Sequence, residues 1–172
     1  MAERFLPTRG GFLRPFGCGW FIREFLLGHG PEGAPVIDPS EGAPQTDICH
    51  HYKMALLRAK AFFRATKEEE HRAKREGREP HPKEIERLIP KYLERIAFNT
   101  NFCRYHSFVV YFATLQRLGW VEFTGHEEPS AFQAQYAEAP PRRYYRLTTA
   151  GREAPDYAWA SPYFFERGLL TS

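Results

Sequence analysis

Cys49, His50 and His51 stand side by side, and Cys103 with His106 forms a C-x-x-H pair. Thiolate and imidazole are the ligands that tetrahedral zinc takes, and the two groups could meet if the helices carrying them touch. No C-x-x-C occurs, however, and the spacing has no regularity of a zinc site. A buried cysteine beside surface histidines accounts for the same residues, so neither a metal nor any other cofactor is expected. Catalytic chemistry has less to build on. The pair Gly10–Gly11 is followed by no GK[ST] and no strand–helix context for a phosphate loop. There is no G-x-S-x-G, no H-E-x-x-H and no pair of acids placed for acid–base work. Asp38 and Asp47, on a proline-rich stretch, are the only acids worth testing. The expectation is a protein that is not an enzyme and has no catalytic residue.

What remains is charge and aromatic surface. The net charge of +3 is unevenly spread. Residues 52–98 hold thirteen Lys and Arg against eight Asp and Glu, whereas residues 1–51 hold four against six. A basic middle segment permits contact with a polyanion, although a solvated helix face has the same composition. Aromatics make up 16% of the 172 residues, enough bulky side chains to build a core. No apolar run reaches the eighteen or so residues of a membrane span, and MAERFLPTRGGFLRPFG does not read as a secretory signal. Three cysteines without disulfide-framework spacing suit a reducing compartment. A cytoplasmic globular protein is expected, with no membrane partner.

The elements that must position these residues follow from periodicity. Residues 1–47 read as an irregular extension in which GWFIREFLLG forms a short amphipathic helix, and HGPEGAPVIDPSEGAPQTD is a loop or linker. Asp47 is placed to cap a helix from about Ile48 to Glu76, with Tyr52, Leu56, Ala59 and Phe63 as its apolar stripe. Its last turns, KEEEHRAKREGRE, read as a charged end projecting into solvent. Pro82 suits the first turn of a helix from Lys83 to Phe98, which Pro90 should kink or break. AFNTNFCRYHS is a turn, and a third helix runs from about Arg104 to Leu118 with Phe108, Phe112, Leu115 and Leu118 inward. WVEFTG and RRYYRLTT then alternate as two strands around a loop, HEEPSAFQAQYAEAPP. Tyr145 and Leu147 should face inward, Tyr144 and Arg146 outward.

Three helices, a strand, a long loop and a strand form the order of a winged helix-turn-helix. LQRLGWVE, residues 115–122, resembles a recognition helix running into the first wing strand. PPRRYYRLTTAGREA, residues 140–154, resembles the second wing strand and its exit in PadR-type and MarR-type transcriptional regulators, with Gly151 giving the tight exit. The resemblance spans about residues 104–154. It implies a mainly α fold with a small β-wing, an α+β winged helix-turn-helix carrying an N-terminal extension and a long helix. The expected division is 1–47 extension, 48–154 winged-helix domain and 155–172 aromatic tail. Pro155 and the tail DYAWASPYFFERGLLTS depart from the long dimerisation helix of PadR-type proteins, and Glu127, Glu128 and Glu138 in the wing would repel phosphate.

The function implied is a sequence-specific, non-catalytic transcriptional regulator that binds double-stranded DNA. In such a module the N-terminal residues of the recognition helix lead into the major groove. Arg104, His106, Ser107, Tyr111, Thr114 and Arg117 then face the bases, while Arg142 and Arg143 at the wing base reach phosphates. Lys83, Arg87 and Lys91 would add non-specific attraction. A homodimer is expected, since palindromic sites are read by two-fold assemblies. The alternative is a winged-helix adaptor, or a subunit of a larger assembly, that binds protein through its aromatic tail and the Tyr111 face. A small metal-binding protein or enzyme comes third. The tail residues Tyr157, Trp159, Tyr163, Phe164 and Phe165 either pack back on the domain, the preferred reading, or form an interface.

Overall fold

The computed structural model describes residues 6–7, 13–14, 17–96, 104–131, 133 and 135–169. These are mainly helical, with a small three-stranded antiparallel sheet and a separate two-residue pairing of β1 (Leu6–Pro7) with β2 (Leu13–Arg14). No helix among them is long and apolar enough to cross a membrane. The chain divides into two compact units, Phe16–Tyr52 with Cys103–Ser172, and Met1–Pro15 with Lys53–Phe102. Boundaries expected at 47/48 and 154/155 do not coincide with that division. Residues 17–47 and the tail share a unit with the last two strands, and the middle of the chain forms the other.

In the first unit, α1 (Cys18–Leu26) buries Phe21, Ile22, Phe25 and Leu26, a stripe at helical spacing. The proline-rich stretch that follows is not only a linker. It contains β3 (Ala43–Pro44), which pairs with β5 (Arg142–Leu147), and β5 pairs in turn with β4 (Val121–Glu128), giving the order β3-β5-β4. Pro44 is tolerated because β3 is an edge strand, where a missing amide hydrogen costs no ladder bond. HEE, expected in the loop, continues β4 to Glu128 across an irregularity between Phe123 and Glu127. Tyr145 and Leu147 are buried, as the alternation requires. The helix α4 (Tyr105–Arg117) buries Phe108, Phe112 and Leu115, and Phe112 meets Tyr145 edge-on at 5.1 Å.

The chain after the sheet folds back in three short helices, α5 (Thr149–Glu153), α6 (Asp156–Ala160) and α7 (Pro162–Glu166). α6 packs on α1 and α7 on α4. Trp159 is 1% exposed, lies 4.7 Å from the Trp120 ring and donates its indole N–H to the Gly151 carbonyl at 2.9 Å. A Cβ on Gly151 would run into the backbone carbonyl of Trp120, so the glycine serves close approach. Arg23 ties α1 to Asp156 of α6 at 2.8 Å.

α2 (Gln45–Glu76) starts earlier than expected and runs for 32 residues. Asp47 is therefore inside its first turn rather than at its cap. Within the second unit, α3 (Pro82–Arg95) returns beside α2 as one helix through Pro90. The charged end of α2 is not simply solvated. Ala61, Ala65, Glu69 and Ala73 recur every fourth residue and are all buried, and α3 contributes Leu88. Glu69 Oε1 accepts from Arg78 Nη1 at 2.5 Å and from the His81 amide at 3.2 Å, which fastens the turn between the helices. The Arg78 guanidinium holds the Glu69 carboxyl below its ordinary range.

Candidate nucleic-acid interface

The first turn of α4 projects because the helix is anchored on its other side. With Phe108, Phe112 and Leu115 turned into the core, Tyr105, His106, Ser107 and Val110 come to the surface. Arg104 sits at the N-cap with extended backbone and is exposed. A ring, an imidazole, a hydroxyl and a guanidinium are thus gathered at one helix end. Tyr105, 45% exposed, belongs to this group and was not singled out by sequence. Its position immediately after Arg104 was the available signal.

Two residues assigned to that outer face lie elsewhere. Thr114 is 4% exposed, and its hydroxyl accepts from Arg117 Nη2 at 2.9 Å. Tyr111 is half-buried against Gly19 of α1, and burial pushes its hydroxyl well above the ordinary value. The reason is common to both. α1 and the folded-back tail cover a flank of α4 that is open when the helix is read alone. Arg117 is exposed but paired, with Nε 2.6 Å from Glu166 Oε1 and Nη2 3.2 Å from Oε2.

The hairpin β4–β5 is compensated charge by charge. Glu122 stands opposite Arg146, Glu127 opposite Arg143 and Glu128 opposite Arg142. Arg146 bonds Glu122 at 2.9 Å, and Arg143 bonds Glu127 at 2.9 Å while its guanidinium lies 5.4 Å from the Phe123 ring. Arg142 turns instead to Asp47, at 2.5 Å. Glu128 takes the Tyr144 hydroxyl at 2.8 Å, which lowers the carboxyl and raises the phenol. Opposed pairs of this kind stabilise the hairpin, each by roughly 0.2–1 kcal/mol where partly buried. They also leave it without net charge.

Several of the other singled-out residues have structural partners. Asp38 Oδ1 accepts from the Ser40 hydroxyl at 2.7 Å and the Ser40 amide at 2.8 Å, closing a turn. Arg87 pairs with Glu84 at 2.8 Å and Lys91 with Glu68 at 2.8 Å, while Lys83 is exposed. Cys49 is buried, His50 is exposed and His51 stacks on Phe25 at 5.5 Å. Cys103 lies outside the described residues. Among the described residues, no group of three or more His, Cys, Asp or Glu is arranged to hold a metal ion.

No protein-family model matches the chain, and no curated protein or solved structure is significantly similar to it. The functional reading therefore rests on topology and on this surface.

Proposed function

We propose that the unit of Phe16–Tyr52 and Cys103–Ser172 is a winged helix-turn-helix that binds double-stranded DNA, and that the protein is a non-catalytic, sequence-specific transcriptional regulator. The observation that carries the reading is the sheet order β3-β5-β4 combined with the chain order α1, β3, α2, α4, β4, β5. A winged helix has this order, and the reading takes the first turns of α2, up to Tyr52, as its second helix, with the rest of α2 and α3 inserted before α4. The order supports the same reading as the resemblance of residues 104–154 to PadR-type and MarR-type regulators. In this reading Arg104, Tyr105, His106 and Ser107 lead α4 into the major groove, where Arg can take guanine O6 and N7 together. Arg142 and Arg143 exchange their carboxylate partners for phosphates.

A second reading is favoured by one observation, the neutralised hairpin. If Arg142, Arg143 and Arg146 keep their carboxylates, the module is an adaptor that binds protein, with exposed Val110 and Tyr105 at the contact. A titration of the full chain against mixed genomic fragments at low and moderate salt separates the two. Affinity that falls steeply with salt, with a few fragments retained, supports the regulator. No binding at low salt moves the module to the adaptor class.

A further inference from the structure

α2 carries, on the side away from its buried alanines, a second stripe. Arg64, Lys67, His71, Lys74 and Arg75 follow one another at spacings of three, four, three and one residue, so they share one face. All five are exposed. With Phe63, Glu68 and Tyr92 they line an open groove of about 800 Å³ between α2 and α3. At 1.5 Å rise per residue the cations from Arg64 to Arg75 extend over about 16 Å, the reach of two or three consecutive phosphates.

The groove is more cationic than its composition suggests. Its single carboxylate, Glu68, is already satisfied. Oε1 accepts from Lys91 Nζ at 3.0 Å, and Oε2 from Lys91 Nζ at 2.8 Å and the Tyr92 hydroxyl at 2.5 Å. Among the described residues Lys67 pairs only with half-exposed Glu70 at 2.8 Å, a surface pair that a stronger anion displaces at little cost. Arg64, Lys74 and Arg75 have no carboxylate within salt-bridge distance among the described residues. An aromatic lies among these charges. The Phe63 ring is 50% exposed, with Lys67 Nζ 5.7 Å from its centre. The open face of this ring, in the same groove as the uncompensated cations, is available to a planar group.

We infer that this groove binds single-stranded nucleic acid, its phosphates following Arg64, Lys67, Lys74 and Arg75 while one unpaired base stacks on Phe63. Cations that track a backbone and an aromatic that takes a base are the two parts of sequence-tolerant single-strand recognition. A duplex would satisfy the cations but offer Phe63 no base face. An acidic peptide would satisfy the cations without needing the ring. The inference is independent of the winged-helix reading, since it uses residues of the other unit only.

The test measures the full chain binding a labelled oligothymidylate and a blunt duplex of equal charge across a salt series. The variants are Phe63→Ala, the triple variant R64A/K74A/R75A, and Arg104→Ala, each shown to be folded by its thermal melt. The wild type should prefer the single strand. The triple variant should flatten its log–log salt slope by about two, at roughly 0.7 for each phosphate no longer neutralised. Phe63→Ala should weaken single-strand binding about tenfold and leave the slope unchanged. Arg104→Ala should leave single-strand binding as it is, and a change confined to duplex binding would speak only to α4. No single-strand binding at low salt, a slope unaltered by the triple variant, or Phe63→Ala without effect would each overturn the inference. The last, together with equal binding of a poly-glutamate peptide, would make the groove a site for acidic chains.

Discussion

Arg142, at the start of β5, is held by Asp47 in the first turn of α2, with Nη2 and Oδ2 2.5 Å apart. The pair joins residues 95 apart in sequence and fixes the sheet to the helix beside it. It also occupies the guanidinium that the proposed function needs for phosphate. Asp47→Asn should release Arg142 without removing side-chain volume. DNA affinity at low salt should rise and the log–log salt slope should steepen by about one. An unchanged slope in a fluorescence titration would take Arg142 out of the interface.

Arg104 is the guanidinium at the head of α4, and base recognition depends on it in the proposed function. Arg104→Ala should relax preference at one base pair, costing about 1–3 kcal/mol of discrimination there. The measurement is a competition of retained fragments against single-position variants. Uniform weakening over all sequences would make Arg104 a phosphate contact instead.

Gly151 stands against the Trp120 carbonyl, with no room for a Cβ. Gly151→Ala should therefore destabilise the fold by about 1–3 kcal/mol through forced backbone displacement. Chemical denaturation monitored by tryptophan fluorescence reads this directly, because Trp120 and Trp159 flank the site. A stability equal to wild type would show that α5 can shift freely.

Trp159 closes the same region from the tail. Trp159→Ala removes a fully buried ring and the partner of the Gly151 carbonyl, for a loss of about 3–5 kcal/mol. The comparison with Tyr157→Ala is informative, since Tyr157 is 43% exposed and its truncation should cost far less. Similar losses for both would mean the tail's aromatic surface is covered in solution.

Acid should loosen the helical hairpin of α2 and α3. Glu68 is held below the ordinary glutamate value of 4.5 chiefly by its hydrogen bond from Lys91, and Glu69 by that from Arg78. A carboxyl depressed in the folded state binds fewer protons there than in the unfolded chain. Its contribution is complete above 4.5 and is lost as pH falls from there through the folded value. Thermal melts should thus be flat from neutral pH to about 5 and decline below it. Glu69→Gln should lower the neutral-pH melt and shallow the acid decline. An acid profile identical to wild type would show that Glu69 does not contribute this linkage.

Much of the framework was legible because it is written in local periodicity. Phe21 and Phe25 place the buried face of α1, Phe108, Phe112 and Leu115 that of α4, and the alternation through Tyr145 and Leu147 the inner side of β5. Each needs only neighbours within a few residues. β3 was not legible. Two residues, one of them Pro44, cannot show a period, and they are a strand only because β5 lies alongside. Glu69 illustrates the same limit. Within KEEEH it is indistinguishable from Glu68 and Glu70, and its burial is set by the return of α3 and by Arg78.

The sequence by itself determined the four longer helices, the two long strands of the sheet, the inward residues of α1, α4 and β5, and the basic middle of the chain. These follow from spacing and backbone preference, which act over one or two turns. The tertiary structure alone decided which charges are available. Arg117, Arg142 and Arg143 have carboxylate partners supplied from 49, 95 and 16 residues away, while Arg64, Lys74 and Arg75 keep their charge facing solvent. Coulombic pairing depends on distance in space, and a sequence records only distance along the chain.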